Sequence, residues 1–123
     1  MSITIRKGQP SDLDAICDCV IAAYTPYVAR IGRRPAPMDD DYEALLQAGE
    51  VYVAPDAAGV RAVLVVRPLE TALLIKNVAV HPAYQGLGIG GALLRFAEQL
   101  AAQQEISSTV LYTNVLMAEN VAV

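Results

Sequence analysis

Six consecutive residues, Gly86-Leu87-Gly88-Ile89-Gly90-Gly91, contain four glycines, and Gln85 stands immediately before them. Glycine adopts positive φ without a steric penalty and lets the backbone approach a ligand closely, so successive N–H groups can converge on one anion. Leu93, Phe96, Ala97, Leu100 and Ala101 follow at helical spacing, which makes the loop the opening of an amphipathic helix. At a helix N-terminus the orphan N–H groups and the dipole both favour phosphate. The chemistry such a stretch suits is the cradling of a pyrophosphate. On its other side Leu73-Leu74-Ile75-Lys76-Asn77-Val78-Ala79-Val80 is apolar and β-branched almost throughout, as expected of a strand buried on both faces. Pro82 cannot donate to a ladder and ends it.

Three phosphate-loop patterns can be laid over these residues. The glycines satisfy G-x-G-x-x-G, the dinucleotide fingerprint, but that site also needs an acid about 20 residues on, at the end of the next strand. The acid at that distance, Glu105, precedes the next apolar run. A P-loop needs Lys and Ser/Thr after its last glycine, whereas Ala92 and Leu93 follow Gly91. The third pattern is Gln/Arg-x-x-Gly-x-Gly/Ala, which Gln85-Gly86-Leu87-Gly88-Ile89-Gly90 fits in register with the lead-in Asn77-Val78-Ala79-Val80-His81-Pro82. Through these residues the chain resembles the GNAT superfamily of N-acetyltransferases over nearly its whole length.

The resemblance implies an α/β (α+β) fold with a central mixed sheet and flanking helices, in one domain spanning residues 1–123. It implies acetyl-CoA as cosubstrate, with no metal, and a small-molecule or peptide amine as acceptor. Coenzyme A contacts are expected along Val78-Ala79-Val80 and across Gln85, Gly86, Leu87, Gly88, Ile89, Gly90 and Gly91. In the family a splay beside the fourth strand frees backbone donors for the acetyl and pantetheine arm, and here these are placed at Val78 and Val80. Tyr112-Thr113-Asn114 resembles the end of the family's fifth strand. Asn120 matches the asparagine of its last helix, where a helix-start polar residue is the equal alternative to a coenzyme contact. The tyrosine that protonates the departing thiolate in the family would lie beyond Val123, as would two late strands. The expectation is therefore a truncated product or fragment, associating into a homo-oligomer through an open edge at Thr109–Tyr112 and turning over weakly.

Acetyl transfer to an amine also needs a base, because a lysine-like amine titrates near about 10.4. No residue fills that role convincingly, so the catalytic residues stay unknown. His81 reads as a turn residue, Glu70 as a turn charge, and Asp39-Asp40-Asp41 as a helix-start cluster. Tyr24, Tyr27 and Arg30 follow one helical face toward the proline-rich loop where the family builds its acceptor site, and Tyr24 fits an apolar stripe equally well. Arg30, Arg33 and Arg34 suit either an acceptor carboxylate or solvated surface. Two alternatives remain: a non-catalytic acyl-CoA-binding module, or an inactive truncated acetyltransferase. A dinucleotide-binding protein is disfavoured by the missing acid.

The elements that must position this loop follow from pattern. The 123 residues leave room for one core, and 54% apolar against 18% charged content excludes disorder. A net charge of -4 argues against nucleic acid. The longest apolar runs are interrupted by Arg, Glu, Lys or Asn, which argues against a membrane span, and a cytoplasmic chain with structural Cys17 and Cys19 is the default. Ile3–Lys7 is expected as the first strand, followed by a helix from Pro10 that restarts at Thr25-Pro26 and ends at Gly32. Asp40 and Glu43 have capping-box spacing for a second helix ending at Gly49. Strands are expected over Val51–Ala54 and Val60–Val66, joined by Pro55–Gly59, and a last strand over Ser108–Tyr112.

Overall fold

The computed structural model describes residues 3–34, 36–57, 59–106 and 109–111. One sheet takes its strands in chain order: β1 (Arg6–Lys7), β2 (Val51–Asp56), β3 (Gly59–Pro68), β4 (Leu73–Val80) and β5 (Thr109–Leu111). The first four are antiparallel neighbours, and β5 joins β4 in parallel. Parallel neighbours need a crossover, which α3 (Ile89–Gln103) provides. Helices α1 (Leu13–Ile31) and α2 (Tyr42–Gln47) precede β2. The result is the mixed sheet with flanking helices that the resemblance implies.

Two cores explain why β3 and β4 lack a polar face. Val51, Val53, Val63, Val65 and Ala79 pack with Ile16, Val20, Tyr24 and Leu45 of α1 and α2. Leu64, Val66, Leu73, Ile75, Val78 and Val80 pack with Ile89, Leu93, Ala97 and Ala101 of α3. A strand covered on both sides has no use for alternation.

Four boundaries differ from the sequence reading. Helix α1 does not restart at Thr25-Pro26; it runs unbroken with Pro26 inside it. An interior proline costs about 3 kcal/mol, but continuing the same face keeps Tyr24 and Tyr27 buried. Fully burying one large side chain contributes about 1.5–3 kcal/mol, so two offset the proline. Gly32, at φ +74°, closes the helix with its N–H on the Val28 carbonyl. The cap of α2 is Asp41, whose side chain accepts from Ala44 N–H at 3.1 Å, one residue beyond Asp40. The hairpin is tighter than expected, because Pro55 and Asp56 belong to β2. A bulge at Ala54/Pro55 accommodates a proline in a paired strand. Finally, β1 pairs only at Arg6 and Lys7, while Ile3 and Ile5 pack against the α3 core without pairing.

Candidate active site at the open edge of β4

The edge of β4 changes character at one residue. β3 and β4 pair regularly from Ala62↔Val80 to Val65↔Asn77, and the next pair is Val66↔Ile75, which leaves Lys76 as an extra residue. Such a bulge bends its strand and increases the local twist. β5 pairs with β4 over Leu73, Leu74 and Ile75, on one side of the bulge. Among the described residues, Asn77–Val80 on the other side have no β5 partner. His81 N–H donates to Arg61 O at 2.8 Å. Because N–H groups alternate along an antiparallel strand, Ala79 and Asn77 also face β3. The N–H groups of Val78 and Val80 therefore face away from β3, toward the side where, among the described residues, they have no strand partner.

The loop after β4 is held at several points. His81 Nδ1 accepts from Ala83 N–H at 3.1 Å and caps a short 3-10 turn over Pro82–Tyr84. The Tyr84 hydroxyl donates to Asp56 at the end of β2, and Asp56 also accepts from Gly59 N–H at 2.8 Å. Gln85 Nε2 donates to the Val80 carbonyl at 3.2 Å, folding the loop back onto the strand end. Gly86 and Gly88 then take φ +80° and +81°. Gly88 is the N-cap of α3 and offers no side-chain cap. The first helical bond runs from Ala92 N–H to Gly88 O at 3.0 Å, so Ile89, Gly90 and Gly91 have no carbonyl inside the helix for their N–H groups. Ile89, Gly90 and Gly91 are buried at the base of this turn, and Leu87 is 50% exposed at its rim. The β4 N–H groups that face away from β3, unpartnered among the described residues, thus run into an uncapped, glycine-opened helix start. This arrangement can hold an extended amide-bearing chain at one end and a phosphate at the other.

The other predicted residues fall into different settings. Tyr24 is wholly buried and gives its hydroxyl to Asn77 Oδ1 at 2.6 Å. Tyr27 is nearly buried, and the Arg30 guanidinium lies 5.1 Å from its ring centroid. Glu70 is exposed, Asp39 pairs with Arg34 at 2.9 Å, and Asp41 caps α2. Cys19 is buried beside a cavity of about 250 Å³ that Asp18 and His81 also line, and burial pushes its thiol up to about 12. Cys17 is half-buried and free, with its thiol raised by burial first and by Asp14 and Asp18 next. Asn114 and Asn120 lie outside the described residues, as do the Tyr112 and Val121–Val123 positions. Among the described residues, no three His, Cys, Asp or Glu side chains are grouped to hold a metal. None of the described helices is long and apolar enough to cross a membrane.

One feature of the site was missed from sequence. Among the described residues, Asn77 is the buried polar residue of the cores, at 1% exposure. Its Nδ2 donates to the Tyr42 hydroxyl at 3.1 Å, and that hydroxyl donates to the Pro37 carbonyl at 2.5 Å. An amide inside a largely apolar strand is the signal the sequence offers, since a buried polar group must find partners.

Similarity to known proteins agrees with this geometry. Residues 27–122 match the family model described as acetyltransferase (GNAT) domain. No curated protein sequence matches the chain. Among solved structures, PaiA N-acetyltransferase from Thermoplasma acidophilum, in complex with coenzyme A, superposes with a TM-score of 0.77 at 17% identity. That match covers 91% of this chain and 79% of the other. A GNAT-family acetyltransferase from Listeria monocytogenes gives 0.73 at 19% identity, covering 89% and 75%. One from Brucella melitensis, in complex with acetyl-CoA, gives 0.68 at 25% identity, again covering 89% and 75%. Fold, open strand edge, glycine loop and family model coincide, and the chain belongs to the GNAT family of acetyltransferases.

Proposed function

We propose that this protein transfers the acetyl group of acetyl-CoA to a primary amine. The observation that carries the reading is the continuity between the open β4 edge and the uncapped start of α3. Coenzyme A is an extended chain of amides ending in a pyrophosphate, so its two halves suit the two halves of this site. Val78 and Val80 N–H groups would pair with the pantetheine arm and polarise the acyl carbonyl as charge develops on its oxygen. The N–H groups from Gly86 to Gly91 would hold the pyrophosphate. The neutral amine attacks the carbonyl carbon to form the C–N bond, the C–S bond breaks, and the proton that the nitrogen loses balances the one that the departing thiolate takes up. The coenzyme A named for the Thermoplasma structure and the acetyl-CoA named for the Brucella structure support the same reading.

A binding module without turnover is the competing reading, and two observations favour it. His81 spends Nδ1 on Ala83, and Glu70 stands exposed in the turn before β4. Two measurements separate the readings. Calorimetric titration should show acetyl-CoA bound in preference to NAD; preference for NAD sinks both. Thiol release with a panel of amines should exceed release without amine; binding with no amine-dependent release leaves the module.

A further inference from the structure

The buried polar chain around Asn77 begins just past the last pair between β4 and β5 among the described residues. Asn77 is the first residue after the Lys76 bulge, and among the described residues β5 pairs with β4 only as far as Ile75. Burying an amide and two phenols in an apolar core is unfavourable unless every group is paired. The direction of the chain follows from its far end. The Pro37 carbonyl can only accept, so the Tyr42 proton points to it. The Tyr42 oxygen must then accept from Asn77 Nδ2, which turns Asn77 Oδ1 toward Tyr24. Tyr24 therefore donates, its hydroxyl oxygen lying 2.6 Å from Asn77 Oδ1 and 3.3 Å from the Val78 carbonyl oxygen.

Within a strand the N–H and C=O of one residue face the same side, so the Val78 carbonyl belongs to the open edge. Tyr24 approaches it from α1. We propose that Asn77 and Tyr24 are positioning residues that hold the β4 edge in its open form, so that Val78 presents its N–H to the acyl arm of a bound acyl thioester. The inference rests on the acetyl-CoA reading above. Tyr24 then acts through Val78 and touches neither acceptor nor thioester. The chain also ties α2 and the Pro37 turn to the same strand.

The test replaces both partners at once. Tyr24→Phe/Asn77→Leu removes donor and acceptor together, which leaves few unpaired buried groups and little effect on stability; Tyr42 still donates to Pro37. Acetyl-CoA affinity should fall about tenfold, a loss of about 1.4 kcal/mol. Affinity for ADP, which carries a pyrophosphate but no acyl arm, should not change. The melting temperature should stay close to wild type. Unchanged acetyl-CoA affinity overturns the inference alone, as does equal weakening of both ligands. Wild-type protein that binds ADP but not acetyl-CoA overturns the acetyl-CoA reading as well. If the double variant does not fold, Tyr24→Phe alone should show the same selective loss at about threefold, and equal affinities there are equally decisive.

Discussion

Gly88→Ala separates backbone strain from ligand contact, because the molecule supplies its own control. Gly88 has φ +81° and Gly32 has φ +74°, and a Cβ built on either meets nothing within 4 Å. In the folded protein both substitutions therefore cost only the left-handed backbone, about 1–2 kcal/mol for an L-residue. In a domain of this size about 1 kcal/mol corresponds to about 4 °C in melting temperature. Gly88→Ala and Gly32→Ala should each melt about 4–8 °C below wild type. Their ligand binding should diverge. Gly32 ends α1, whereas Gly88 is the N-cap whose open space the pyrophosphate would enter. Calorimetry should find acetyl-CoA affinity unchanged in Gly32→Ala and at least about tenfold weaker in Gly88→Ala. Equal affinities in the two variants would refute the cradle. Equal losses would show that binding merely follows global stability.

Three further outcomes test the scaffold. Pro26→Ala restores a helical N–H at an exposed position of α1 and should stabilise the protein by about 1–3 kcal/mol in urea denaturation; destabilisation would mean that the proline shapes the helix. Asp12 pairs with Arg6 through two bonds of 2.8 and 3.0 Å and accepts from Gln9 N–H at 2.7 Å, and the Arg6 hydrogen bond holds its carboxyl below the usual range. Its stabilisation is thus present above the unfolded carboxyl pKa of about 3.9 and lost as pH falls through the lower folded value. Asp12→Asn should cost about 1 kcal/mol at neutral pH, and thermal melts should show the gap closing in acid; a gap independent of pH contradicts the assignment. With its thiol near about 12 and its side chain sealed, Cys19 should resist iodoacetamide in the native protein at mildly alkaline pH and react once unfolded. Rapid native alkylation at Cys19 would show that α1 opens.

The loop and its strand were legible because their signals are local. Four glycines, a β-branched run and Pro82 each restrict the backbone within a few residues. The open edge could be placed at Val78 and Val80 only through resemblance, since a bulge at Lys76 leaves no mark on composition. Where the reading failed, distant packing outweighed a local signal. Thr25-Pro26 is a sound helix start by itself, yet Tyr24 and Tyr27 gain more by remaining on one continuous face against the sheet. Asp40 and Glu43 have capping spacing, but Tyr42 must be buried with its hydroxyl on Pro37, which sets the helix start at Asp41. The Asn77 chain joins residues 35 and 53 positions apart, and no window of sequence contains it. Asn114 and Asn120 belong to the part of the chain outside the described residues.

The tethers on the glycine loop bear on how fast and how tightly an anion can be captured. Gln85 is fastened to Val80, Tyr84 to Asp56, and helical bonding resumes with Ala92 on Gly88. Only Gly86, Leu87 and Gly88 span the gap between the last tether and α3. Ordering three backbone residues costs about 3–6 kcal/mol, and glycines exceed the average. Here that ordering accompanies folding of the hairpin and sheet, so a phosphate bound as proposed would meet donors already aimed and bear none of it. Loosening a tether at some distance, by Asp56→Ala at the hairpin for instance, would leave every loop residue in place and transfer that ordering to the binding step. The β2–β3 hairpin would thereby contribute to the affinity of the proposed cradle without touching its ligand.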